Sequence, residues 1–163
     1  MTTIAATIAV SRRGNKGDER GFDNPKKLDA AANAGILVCQ GAADGSVKAV
    51  DSAANVAAAI GGLLYDPSQP KATSTQTTDY ALGELHSVRE EGCIWMQSET
   101  AQTRGAQPYA RYATGAGGTE LGVLRNDAVT SETALIPNAR VERATTGAGP
   151  VLVRLNLPAR AAS

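Results

Sequence analysis

The sequence predicts an all-β fold, a single small β-sandwich or jelly-roll-like barrel with one short helix and an extended N-terminal arm. Three observations carry this. From residue 35 onward short apolar runs recur at fairly even spacing, each opened or closed by Gly, Asp, Pro, Ser or Thr. Several of those runs alternate in polarity with period two, the period of a strand with one face buried. Before them lies a stretch crowded with charges, Gly and a Pro, in which Phe22 and Leu28 are the large apolar residues.

In chain order, "TIAATIAV" reads as a short extended opening segment, and "SRRGNKGDERGFDNPKKLD" as an exposed arm or long loop. This divides the chain into an extended segment with a charged arm, 1–30, and a β domain, 31–163. The expected strands are "GILVCQG", "VKAV", "GGLLYDP", "GELHSVR", "GCIWMQSE", "PYARYATG", "LGVLRND", "ARVERAT" and "PVLVRLNLP". In the last of these Val151, Val153, Leu155 and Leu157 would share one face, with Leu152, Arg154 and Asn156 on the other. "GELHSVR" and "GCIWMQSE" read as a hairpin turning at "REEG", with Cys93, Trp95 and Gln97 on one face of its second strand. One segment breaks the pattern. "DSAANVAAAIGG" offers Asp51 or Ser52 as an N-cap, a run of alanines, and the Gly61-Gly62 pair as a stop, so the short helix belongs there. "DPSQPKATSTQTTD" lacks apolar residues and is a loop. There are no heptads and no fixed repeat.

At 163 residues the chain can bury a core without a metal or disulfide staple. Its apolar content is 42% but only 4% is aromatic, so the core is built from small side chains and association is expected to add stability. Sixteen basic residues balance 16 acidic ones, which argues against nucleic acid or an anionic membrane as partner. Cys39 and Cys93 each sit in an apolar run, as buried free thiols of a reducing cytoplasm do. The apolar run at the N-terminus is too short for a membrane span, and its charges follow the run, the reverse of a signal peptide.

Chemical motifs are sparse. His86 and Cys93 could in principle pair as base and nucleophile, with Glu90 or Glu91 orienting the imidazole. A packed Cys and Trp on a core or subunit-facing surface is the more economical reading, because catalytic thiols need an electropositive cleft. One His and two distant Cys lack the paired spacing of a zinc site. "TGAGGTELG" and "TTGAGP" lack the Gly-Lys-Ser/Thr ending of a phosphate loop, and "DGSVKAVD" lacks the alternating oxygens of a calcium loop. No cofactor is implied. Arg104, Arg111, Arg125, Arg140, Arg143, Arg154 and Arg160 alternate with strand residues, a distribution that suits a protein interface.

The succession "GILVCQGAADGSVKAV", "IGGLLYDP", "YALGELHSVREEGCIWMQSE", "GAQPYARYATGAGGTELGVLRND" and "ALIPNARVERATTGAGPVLVRLNLP" resembles the capsid decoration, or cement, proteins of tailed bacteriophages. The likeness spans roughly residues 35 to 158. It implies a non-enzymatic protein, made in the bacterial host cytoplasm, that binds the exterior of the assembled capsid and cements neighbouring major capsid subunits. A homo-oligomer, dimer or trimer, fits that role. The candidate partner-binding residues are Arg12, Arg13, Arg20, Phe22, Lys26 and Lys27 of the arm, with Arg140 and Arg143 of a late strand. The rival readings are a carbohydrate- or ligand-binding β domain for host attachment, using exposed Tyr80, Tyr109 or Tyr112, and an enzyme built on Cys93 and His86.

Overall fold

The computed structural model describes residues 14, 16–17, 21–66, 78–115 and 120–156. Its elements are β1 (Phe22–Leu28), β2 (Leu37–Gln40), β3 (Ser46–Ala49), α1 (Ala53–Ala57), β4 (Gly61–Leu63), β5 (Leu85–Ser98), β6 (Tyr109–Arg111), β7 (Leu124–Arg125), β8 (Thr133–Leu135), β9 (Arg140–Arg143) and β10 (Gly149–Asn156). The fold is all-β with one small helix. Strands β1, β3, β2, β4 and β5 pair in that order, and β5 pairs back onto β1, which closes a barrel.

The 14-residue β5 is the spine of the molecule. On one edge it pairs with β4 over its first half and with β10 over its second. On the other it pairs with β1, then receives Gly14 and Gly17, whose amides donate to Trp95 and Cys93 carbonyls at 2.5 and 2.7 Å, and ends beside β7. The expected hairpin is therefore a single strand. Against β1 the register passes from Arg89 to Glu91 and skips Glu90, and Gly92 takes φ +106°. That bulge bends the chain without reversing it, so the charges of "REEG" sit within a ladder instead of a turn.

Two cores flank this spine. Leu28, Ile36, Val38, Val47, Leu63, Tyr80 and Val88 fill the barrel. Ile94, Met96, Leu124, Ile136, Val141, Val151, Val153 and Leu155 form the second core, which also takes in Val56 of α1. Neighbouring residues of β2 serve different cores, Val38 the barrel and Leu37 and Cys39 the other, because successive side chains of a strand point to opposite faces. Val151, Val153 and Leu155 are buried while Arg154 and Asn156 are exposed, as the alternation predicts.

Three local expectations change. The charged stretch expected as loop contains, from Phe22, the strand β1, which takes its hydrogen bonds from β5 and a short parallel pairing to β3. Pro25 is tolerated there at an exposed position. Ser52 caps α1, its hydroxyl accepting from the Asn55 amide at 3.2 Å, but the helix ends at Ala58 and the two glycines belong to β4. A Cβ on Gly61 would lie 2.8 Å from the Arg89 carbonyl carbon, so the close approach to β5 is what requires glycine. Finally "TALIP" supplies the unforeseen β8, which pairs with β6.

Two arginines, Arg89 and Arg111, are each only 1% exposed. Arg111 meets Glu99 at 2.8 Å and Glu132 at 2.6 Å, and Arg125 joins through Glu99 at 3.1 Å. Arg89 donates to Asp23 at 2.8 Å and to the Cys93 carbonyl at 3.0 Å. Buried charge survives because each guanidinium meets carboxylate and carbonyl oxygens in a fixed fork.

Candidate interaction surface

The bulge at Glu90 turns the alternation of β5 over, so that Leu85, Ser87 and Arg89 share one face with Asp23 and Gly62 while Cys93 and Trp95 stand on the opposite one; along its length β5 is open in its first half and covered beyond it. Over Arg89, Cys93 and Trp95 it is covered from the N-terminal side: Lys16 bridges to Ile94 and pairs with Asp23 at 2.5 Å, while Gly17 lies on Cys93 and Leu152. Gly21 passes over the Arg89 guanidinium, where a Cβ would come within 2.7 Å of Cζ. Trp95 is thus 5% exposed, with the Arg143 guanidinium 5.9 Å from its ring centroid. At Leu85 and Ser87, which are exposed, β5 is open beside a groove that Lys16 also lines.

The open half has a distinctive surface. Leu82 and Leu85 are 68% and 66% exposed, and the Lys27 backbone pairs directly with Leu85. A groove of about 190 Å³ beside Leu85 is lined by residues including Lys16, Pro25, Tyr65, Asp66, Leu85 and Ser87. Beneath it lies a polar pin. Glu84 accepts from the Ala81 amide at 2.8 Å and meets His86 Nε2 at 3.2 Å, and the His86 ring stacks on Tyr80 with centroids 3.6 Å apart. The Tyr80 hydroxyl donates to the Leu64 carbonyl and accepts from the Asp66 amide, and burial pushes its pKa up to about 12.

The candidate residues distribute as follows. Arg12, Arg13 and Arg20 lie outside the described residues. Phe22 is exposed at the start of β1, Lys27 is exposed near its end, and Lys26 between them is half-buried opposite His86. Arg140 and Arg143 lie on β9, which reaches β5 only through β10 and on its other half, so the five described residues do not form one patch. Of the remaining arginines, Arg111 and Arg125 belong to the internal ion-pair cluster and Arg154 pairs with Glu142 at 2.8 Å. Leu82 and Leu85 were missed as surface residues. Leu85 stands where period-two alternation puts an outward position, the signal that could have found it.

The catalytic alternative fails on geometry. His86 and Cys93 lie on one continuous strand, on either side of its bulge, and the His86 ring is taken up by Glu84 and Tyr80. Both thiols are buried and unbridged. Tyr80, one of the rings available for sugar stacking, is buried. Among the described residues no three His, Cys, Asp or Glu converge as a metal site, and no helix is long and apolar enough to cross a membrane.

Comparison with known families decides the assignment. The family described as structural cement protein (E217 gp24/Pam3 gp6) matches residues 5–156. The chain belongs to this family of phage structural cement proteins. Among solved structures, a chain from "The capsid of Myoviridae Phage XM1" superposes with a TM-score of 0.67 at 14% identity, covering 96% of this chain and 97% of that one. At that identity the likeness speaks for the fold. A search of the curated proteins finds no match. The cement protein is accordingly a structural, capsid-associated component of a phage virion.

Proposed function

We propose that this cement protein binds the exterior of an assembled phage capsid, holds neighbouring major capsid subunits together, and performs no catalysis. The observation that carries the reading is the family match over residues 5–156, nearly the whole chain. The physical role is linkage: a protein that binds the assembled shell and not its free subunits stabilises the shell by mass action, in proportion to occupancy. A small homo-oligomer, dimer or trimer, would multiply that effect by engaging several subunits at once. Exposed Phe22 and Lys27, half-buried Lys26, and Arg140 and Arg143 on β9 are candidate contacts, with Arg12, Arg13 and Arg20 beside them in sequence.

The test uses undecorated heads of the same phage. Adding the purified protein is expected to raise the temperature at which heads rupture, saturating with occupancy, and electron microscopy should find it on the outer surface. Heads whose rupture temperature does not change at saturating protein would sink the cementing role. Mass measurement of the free protein and of the head-bound protein decides the oligomeric state.

A further inference from the structure

We infer that the open half of β5 and the turn leading into it, centred on Leu82, Leu85 and Lys27, is the surface that docks a segment of the major capsid protein presenting an apolar side chain next to a carboxylate. The inference rests on the capsid-binding reading above and names the contact within it.

Four observations converge on this place. Leu82 and Leu85 are the two most exposed large apolar residues among those described, and they occur within one turn-strand junction. Scattered single apolar residues are ordinary on a surface, but two adjoining leucines beside a groove mark an interaction site. The groove, about 190 Å³, is smaller than the roughly 300–1,000 Å³ of small-molecule sites and suits a single inserted side chain.

The surface is also rigid. Gly83 and Leu28 exchange backbone hydrogen bonds with the rest of the junction, Gly83 amide to Leu28 carbonyl at 2.8 Å and Leu28 amide to Glu84 carbonyl at 2.9 Å. The Glu84, His86 and Tyr80 pin then ties the junction to the barrel. Leucines held this way lose little further entropy on docking, which turns apolar contact into affinity.

The charge next to them selects the partner. Lys27 stands beside Leu85 across the strands, and its Cε lies 3.9 Å from the position of a Cβ on Gly83. Of the nearby carboxylates, Glu84 faces inward to the Ala81 amide and His86, and Asp66 lines the groove together with Lys16. A second copy of this chain docked by two-fold symmetry would place each Lys27 near its own copy, an unfavourable like-charge approach. A different chain bringing a carboxylate to Lys27 and an apolar side chain to the groove satisfies both features.

The experiment is co-sedimentation with undecorated heads, comparing the wild-type protein, the double variant Leu82→Ser with Leu85→Ser, the single variant Lys27→Glu, and Thr146→Glu in the exposed turn between β9 and β10 as a distant control. Thermal melting of each free protein verifies folding. The serine pair is expected to weaken head binding roughly tenfold or more, as loss of a hot spot does, with an unchanged melting temperature. Lys27→Glu should weaken binding less and abolish most of its salt dependence. Wild-type binding with an equally good serine variant overturns the inference and leaves the capsid reading standing. Absence of wild-type binding overturns the capsid reading and the inference with it. A serine variant that changes the mass of the free protein while binding heads normally makes a second copy the occupant and also overturns it.

Discussion

β5 is one strand with two fates. Around Arg89, Cys93 and Trp95 it is covered by Lys16, Gly17 and Gly21, and the Arg89 guanidinium is received by Asp23 and the Cys93 carbonyl. Leu85 and Ser87 stay exposed beside a groove that Lys16 also lines. The difference teaches what the N-terminal stretch is for in the folded protein. Its described residues act as a structural strap on the chain's own spine, and the apolar surface that remains is the part the strap does not reach.

If the strap holds the covered half, breaking its ion pair should have the largest effect. Asp23→Ala leaves Arg89 buried without its carboxylate, and loss of one partner of a buried pair costs about 3–5 kcal/mol. The expected outcome is a large drop in the chemical-denaturation midpoint, and a loss below 1 kcal/mol would show that the strap does not matter to stability. Gly14→Ala comes next. Gly14 has φ +78°, and a Cβ there would stand 2.6 Å from the Ala34 Cβ and 2.7 Å from the Tyr65 amide nitrogen. Overpacking and backbone strain together predict a loss of about 1–3 kcal/mol, read from the same denaturation curve.

Acid should undo the strap more gently than deletion. Burial raises the pKa of Asp23, but hydrogen bonds from Arg89 and Lys16 outweigh it and hold the carboxyl below its ordinary 3.8. A depressed folded value means the contribution is present above the unfolded value and is lost as pH falls through the folded one, so the window lies below about pH 4. Wild-type protein is expected to lose stability steeply there, and Asp23→Asn to show a flatter acid limb from a lower starting point. Parallel acid limbs would assign the acid sensitivity to other carboxylates.

The two halves were unequally legible in the sequence. Runs such as "GILVCQG" and "PVLVRLNLP" gave their strands because each needs only local alternation and a turn residue at its end. The spine was split in two because "REEG" has the composition of a turn, and only the pairing of β1 across it on one edge, with β4 and then β10 on the other, makes it a bulge in a continuous ladder. β1 was hidden for a related reason: "FDNPKKL" is polar, and its strand state comes from β5 and from Asp23 reaching Arg89, a contact between residues far apart in the chain. The burial of Trp95 could be anticipated from its strand, whereas the roof above it could not, because its charges and glycines carry no period. The exposed leucines fall between these cases, since alternation places Leu85 outward but gives no sign that the strap stops short of it.

The smallest predicted effect probes the edge of the roof. Arg143 lies over the Trp95 ring from β9, on the side away from the open half. An exposed cation–π contact is worth about 0.5–1 kcal/mol, so Arg143→Ala should shift the denaturation midpoint slightly. The more telling readout is optical, because Trp95 is the chain's one tryptophan. With the guanidinium gone the emission should move a little to longer wavelength and become more accessible to a neutral quencher, while Gly17 and the strap keep it well short of the unfolded spectrum. Emission in Arg143→Ala that matches the unfolded protein would mean that the arginine, and not the strap, shields the indole. The division of β5 into a roofed and an open half would then have to be redrawn around β9.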